Sequence, residues 1–147
     1  NSCRDGIYIY NSAPQIINNT VNPFQYGIYG EANGKSPLIK NNVISRTPNP
    51  EHAYAGIYFS NGTNSKITVN DVSGFGYGLY LSGGGYSIFA DENYNTPNIN
   101  NRFRNNSYGI AAANSSRIFA GSPFGNYYCF NSIYDNLYYD AMAYMNG

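Results

Sequence analysis

Asp71, Asp91, Glu92, Arg102 and Arg104 are the residues whose types could carry out chemistry. A carboxylate cluster can hold calcium beside an arginine that serves as a base, and paired carboxylates can work as general acid and base on a glycosidic bond. The sole histidine, His52, lies in the proline-rich run Arg46-Thr47-Pro48-Asn49-Pro50-Glu51-His52 and reads as a solvated loop residue. Whether any of these groups converge depends on the elements that carry them.

The 147 residues suit one domain, and 11% charge with a net charge of zero narrows what it can bind. Eight Lys and Arg, scattered from Arg4 to Arg117, supply no counterion-release drive toward nucleic acid and no basic face for an anionic membrane. The apolar runs are only a few residues long, so no membrane-spanning helix is expected. Helix formers are scarce, whereas β-branched and aromatic residues abound, and 24 asparagines, 17 tyrosines and 16 glycines stand out. The composition is all-β.

Self-similarity gives the architecture. A glycine followed by an alternating apolar run recurs at Gly6, Gly27, Gly56, Gly78 and Gly109, with Asp140 in the sixth register position. A second block, such as Pro14-Gln15-Ile16-Ile17-Asn18-Asn19-Thr20-Val21, follows each anchor. Periods of 21 to 31 residues with period-2 alternation describe one turn of a coil made of short strands, and only a coil tolerates so variable a period. The expected fold is a parallel β-helix of about five to six coils, residues 1–147 forming one segment. Stacking the repeats places Ile7, Ile28, Ile57, Leu79, Ile110 and Ala141 inward, with Ile9, Gly30, Phe59, Leu81, Ala112 and Ala143 two positions on. Val21, Ile44, Val72, Phe103 and Ile133 form a second inward column. Two residues before that column every turn has asparagine, Asn19, Asn42, Asn70, Asn101 and Asn131. Such a ladder suits tight turns that need left-handed backbone, and stacked amides can donate to one neighbour and accept from the other.

These repeats resemble the right-handed parallel β-helix proteins of the pectin-lyase-like superfamily. Tyr26-Gly27-Ile28-Tyr29, Asn11-Ser12-Ala13-Pro14-Gln15-Ile16-Ile17-Asn18-Asn19-Thr20-Val21 and Asn105-Asn106-Ser107-Tyr108-Gly109-Ile110 carry the resemblance, which covers essentially the whole chain. The branch it implies is the non-catalytic repeats of large secreted and cell-surface bacterial proteins, hence an extracellular or cell-surface location. The Asp-Asp pair, Gly-His-Gly and Arg-Ile-Lys signatures of the catalytic branches are missing. The alternative reading is a carbohydrate-active domain, a polysaccharide lyase or glycoside hydrolase relative.

On the stacked coils Asp71 and Arg102 become neighbours, with Arg104 near them, which permits an ion pair, an acid–base pair or one end of a calcium site. Calcium on Asp91 and Glu92 is the one cofactor to consider; none is otherwise expected. Tyr8, Tyr29, Tyr58 and Tyr80 form an outward column, and Tyr26, Tyr77 and Tyr108 precede the anchors. Stacked rings stabilise the coil, while exposed aromatics would suit a protein partner or a polysaccharide. Sequons at Asn18, Asn61, Asn105 and Asn114 are glycosylation candidates, the Asn61-Gly62-Thr63 loop being the most exposed. Cys3 and Cys129 fall four to five coils apart, about 20 Å, too far for a bridge within one chain. A β-helix left open at its ends exposes unpaired backbone, so flanking coils of the same polypeptide or end-to-end association into a fibre is expected.

Overall fold

The computed structural model describes residues 4–46, 53–89, 101–119 and 131–144, and every regular element in them is a β-strand. Numbered in chain order, β1 (Asp5–Tyr10), β4 (Tyr26–Glu31), β7 (Ala55–Ser60), β10 (Tyr77–Leu81), β13 (Tyr108–Ala113) and β16 (Tyr139–Tyr144) form a six-stranded sheet, A. Sheet B stacks β2 (Gln15–Ile17), β5 (Leu38–Lys40), β8 (Asn64–Thr68), β11 (Tyr86–Ile88) and β14 (Arg117–Phe119). Sheet C stacks β3 (Thr20–Val21), β6 (Val43–Ser45), β9 (Asp71–Ser73), β12 (Arg102–Arg104) and β15 (Ser132–Tyr134). All pairings are parallel, so each sheet holds one strand from each successive coil. The fold is a parallel β-helix with three faces per coil.

The register follows the sequence repeat: Ile7 pairs with Ile28, Ile28 with Ile57, Leu79 with Ile57 and with Ile110. The block read as one unit after each anchor divides into two strands, because the chain bends at the asparagine corner between them. Ile28, Ile57, Leu79, Ile39, Ile67, Ile44, Val72 and Phe103 are all fully buried, forming a core that runs along the axis. Ala141 and Ala143, in the terminal strand β16, are exposed.

The anchor glycines follow from packing rather than from backbone freedom. A Cβ on Gly27 would lie 2.2 Å from Ile44 Cγ2 and 2.3 Å from the Gly56 carbonyl oxygen; one on Gly56 would lie 2.2 Å from Val72 Cγ1. Each anchor therefore leaves room for the inward side chain of sheet C and for the backbone of the next coil.

Asparagine columns close the corners. Asn42 Oδ1 accepts from the Asn19 backbone N–H (3.0 Å) and Nδ2 (3.1 Å), and Asn70 Oδ1 accepts the same two donors from Asn42 (3.0 Å each). Asn101 serves Asn70, and Asn131 serves Asn101, in the same way. Each buried Nδ2 also reaches back to a carbonyl of the preceding coil, Ile16, Ile39 or Ile67. This matters because an unpaired buried amide costs about 1–3 kcal/mol. A second column joins Phe75 N–H, Asn106 and Asn136 at the corner between sheets C and A.

The left-handed residues are not the ladder asparagines. They stand one position earlier, at Asn18 (φ 60°), Asn41 (φ 55°) and Val69 (φ 55°). The ladder residue itself needs its side chain turned inward, and the residue before it makes the bend. Val69 is thus a β-branched residue in a conformation that asparagine tolerates far better.

Two outcomes follow. Val69→Asn is expected to raise stability by about 1 kcal/mol by relieving this backbone strain, read as a higher denaturant midpoint at unchanged slope. Gly27→Ala is expected to lower it by about 1–3 kcal/mol through overpacking, read in the same denaturant melts.

Candidate functional site

The outer surface of sheet A carries most of the chain's tyrosine. Tyr8, Tyr29, Tyr58 and Tyr80 stack down the sheet with ring centroids 5.4, 5.1 and 5.5 Å apart and interplanar angles of 26°, 21° and 37°. Alongside runs a second column, Tyr26, Tyr54, Tyr77 and Tyr108, at 5.4, 5.6 and 4.9 Å. Contacts such as Tyr26 with Tyr29 (5.1 Å) and Tyr77 with Tyr80 (4.8 Å) knit the two together. Tyr10 extends the array at one end, Tyr138 and Tyr139 at the other.

Tyr54 is the member that repeat counting misses. The register places Ala55, not a tyrosine, between Tyr26 and Tyr77. The preceding residue fills the gap, its ring lying between those of Tyr26 and Tyr77. The signal was a tyrosine displaced by one residue at the exit of a loop, which a fixed-offset alignment discards.

Stacking decides what this surface offers. A sugar ring needs a free aromatic face, and in the interior of the first column neighbouring rings occupy the faces. Tyr29, Tyr58 and Tyr80 are accordingly half-buried, while Tyr8 (55% exposed), Tyr10 (63%), Tyr138 (61%) and Tyr139 (60%) are open, and Tyr54, met by its neighbours tilted or edge-on, is exposed as well. Desolvation pushes the phenols up: Tyr54 to about 12, and Tyr29 further still, aided by its hydrogen bond to Glu31. Tyr8, Tyr26 and Tyr58 move the same way, desolvation leading in each. These five phenols therefore hold their protons at neutral pH.

The charged candidates arrange differently from expectation. Asp71 and Arg102 are register neighbours, but the ion pair forms on the diagonal: Arg104 Nε and Nη2 donate to the two Asp71 carboxylate oxygens at 3.1 and 2.9 Å. A fork-shaped guanidinium satisfies both oxygens at once, which the directly opposite Arg102 does not do here. That bond holds the Arg104 guanidinium above its usual value and occupies Asp71. Arg102 is exposed and borders a shallow depression with Asp71, Asn42 and Asn70. Asp91, Glu92, His52, Cys3 and Cys129 lie outside the described residues. Among the described residues no three His, Cys, Asp or Glu side chains lie together as a metal cluster.

The sequon asparagines share one backbone property. Asn18, Asn61, Asn105 and Asn114 all have φ between 52° and 60°, so each is a corner residue. In the Asn61 sequon the hydroxyl of Thr63 is buried, donating to Ser60 O at 2.7 Å and accepting from Ala32 N–H at 2.9 Å. Asn61 itself, the residue a glycan would be attached to, is exposed.

A family model described as a right-handed beta helix region matches residues 1–136. No curated protein matches the chain, and no solved structure matches it.

The tyrosine array makes stability pH-dependent on the alkaline side. Unfolded phenols ionise near 10.0, while the folded Tyr54 holds its proton to about 12, so the unfolded state loses protons first and is favoured as pH rises. The tyrosine contribution is expected to be constant below about pH 10, and stability to fall between about pH 10 and 12. Tyr54→Phe should shallow that fall, as measured by denaturant melts across the range.

Proposed function

The chain belongs to the right-handed β-helix family, and we propose that it is a structural, non-catalytic segment of a secreted or cell-surface protein. Its task is to supply a stiff, laterally uniform rod, and end-to-end association of copies or of flanking coils is part of the same reading. The observation that carries it is where the functional-looking side chains are spent. Asparagine amides and tyrosine rings, the groups that would contact a ligand, bond instead to their own counterparts one coil away. Adhesion to a glycan or protein then falls to the exposed rings of this face, Tyr8, Tyr10, Tyr54, Tyr138 and Tyr139.

A catalytic reading needs a free acid or base on the outer face. Asp71, the best-placed described carboxylate, is held by Arg104 in a two-point bond. The pair is half-buried and spans two coils, in keeping with a tie between them.

Incubation with a panel of neutral and acidic polysaccharides is expected to release no reducing or unsaturated ends, while electron microscopy of the same preparation shows rods or filaments. Turnover abolished by Asp71→Asn would overturn the structural reading. Retention on a polysaccharide column that disappears in Tyr8→Ala/Tyr10→Ala, but not in Tyr80→Phe, would locate adhesion at Tyr8 and Tyr10.

A further inference from the structure

Tyr29 differs from its neighbours in one respect: its hydroxyl donates to Glu31 Oε1 at 2.5 Å. Both faces of its ring are covered, by Tyr8 at 5.4 Å and Tyr58 at 5.1 Å. From Tyr10 to Tyr108, and on to Tyr138, ring-to-ring distances never exceed 6.4 Å. Rings in contact over such distances exchange electrons readily, because their π systems are separated by little more than van der Waals spacing. A tyrosine that loses an electron becomes a strongly acidic radical cation, so its oxidation is easiest where a base already holds the hydroxyl proton. Glu31 is such a base for Tyr29. Tyr58, by contrast, is hydrogen-bonded to Ser60, whose hydroxyl is no proton acceptor of that strength. The Glu31 carboxylate also acts electrostatically on Tyr8, Tyr29 and Tyr58, favouring positive charge on that part of the stack.

We propose that one-electron oxidation of the tyrosine face converges on Tyr29, with Glu31 as the proton acceptor. The oxidant is a peroxide-derived one-electron acceptor, such as the ferryl haem of a peroxidase, meeting the exposed rings Tyr8 and Tyr10. It gains one electron. Tyr29 supplies that electron through the stack, and its hydroxyl proton passes to Glu31, leaving a neutral phenoxyl radical and a protonated carboxyl. An external thiol or ascorbate-type reductant returns an electron, and the proton moves back to the phenol oxygen. Because the Tyr29 ring is covered on both faces, the radical is shielded from coupling to a second molecule. The face thus works as an oxidant sink on a rod exposed to its surroundings.

The test uses the whole chain, oxidised by a photo-excited ruthenium polypyridyl complex with persulfate as terminal electron acceptor, and followed by electron paramagnetic resonance in H2O and D2O. The parent is expected to give a long-lived tyrosyl radical with a deuterium isotope effect on its formation. Glu31→Gln keeps the shape but cannot take the proton; the long-lived yield should fall by about tenfold, the factor for one charge-assisted hydrogen bond, and the isotope effect should vanish. Tyr29→Phe preserves the stack and should shift oxidation to Tyr8 and Tyr10, detected by mass spectrometry as dityrosine-linked dimers. If both variants retain the parental β-sheet circular dichroism and also its radical yield and lifetime, the assignment is wrong.

Discussion

Each strand residue of one coil lies over its counterpart in the next at the spacing of paired strands, about 4.8 Å, and the rest of the molecule follows from that repetition. Vertical neighbours in the coil stack must tolerate contact with their own kind. Aliphatic side chains do so by packing, as Ile28 does on Ile57. Asparagine does so because its amide carries a donor and an acceptor, and tyrosine because offset rings attract. Glycine is needed where a sheet C side chain enters the corner beneath sheet A. Charged residues suit such columns poorly, since like charges would stand one strand apart, and the chain's low charge content agrees with that.

The same constraint explains why surface chemistry is sparse. Groups that would be free in an isolated strand are consumed by the coil above or below. The tyrosine face shows this most fully: the interior rings of the first column lose their faces to one another. Glu31 breaks the uniformity of that face, and its short bond to Tyr29 gives one ring a property that its neighbours lack. A repetitive scaffold acquires a distinct site where a column is interrupted.

Much of this was legible in the sequence because the period of the coil is written directly in it. The register at Ile28, Ile57 and Leu79, the inward asparagines and the first tyrosine column all follow from aligning repeats. What escaped alignment depended on geometry off the repeat. Tyr54 reaches its place from the position next to the one alignment would assign. Asn106 and Asn136 bond across coils at a corner where Phe75 occupies the earlier position. Asp71 finds Arg104 on the diagonal because a guanidinium on a long stem reaches past the residue directly opposite.

Sequence alone determined the parallel coil, its register and which columns point inward, since period-2 alternation and repeat spacing constrain a strand without reference to anything distant. Tertiary structure decided the rest: that each coil has three faces, that the left-handed bend falls at Asn18, Asn41 and Val69 rather than on the ladder amides, and that the tyrosine rings cover one another. These outcomes depend on where side chains from different coils meet in space. A spacing rule carries no record of that.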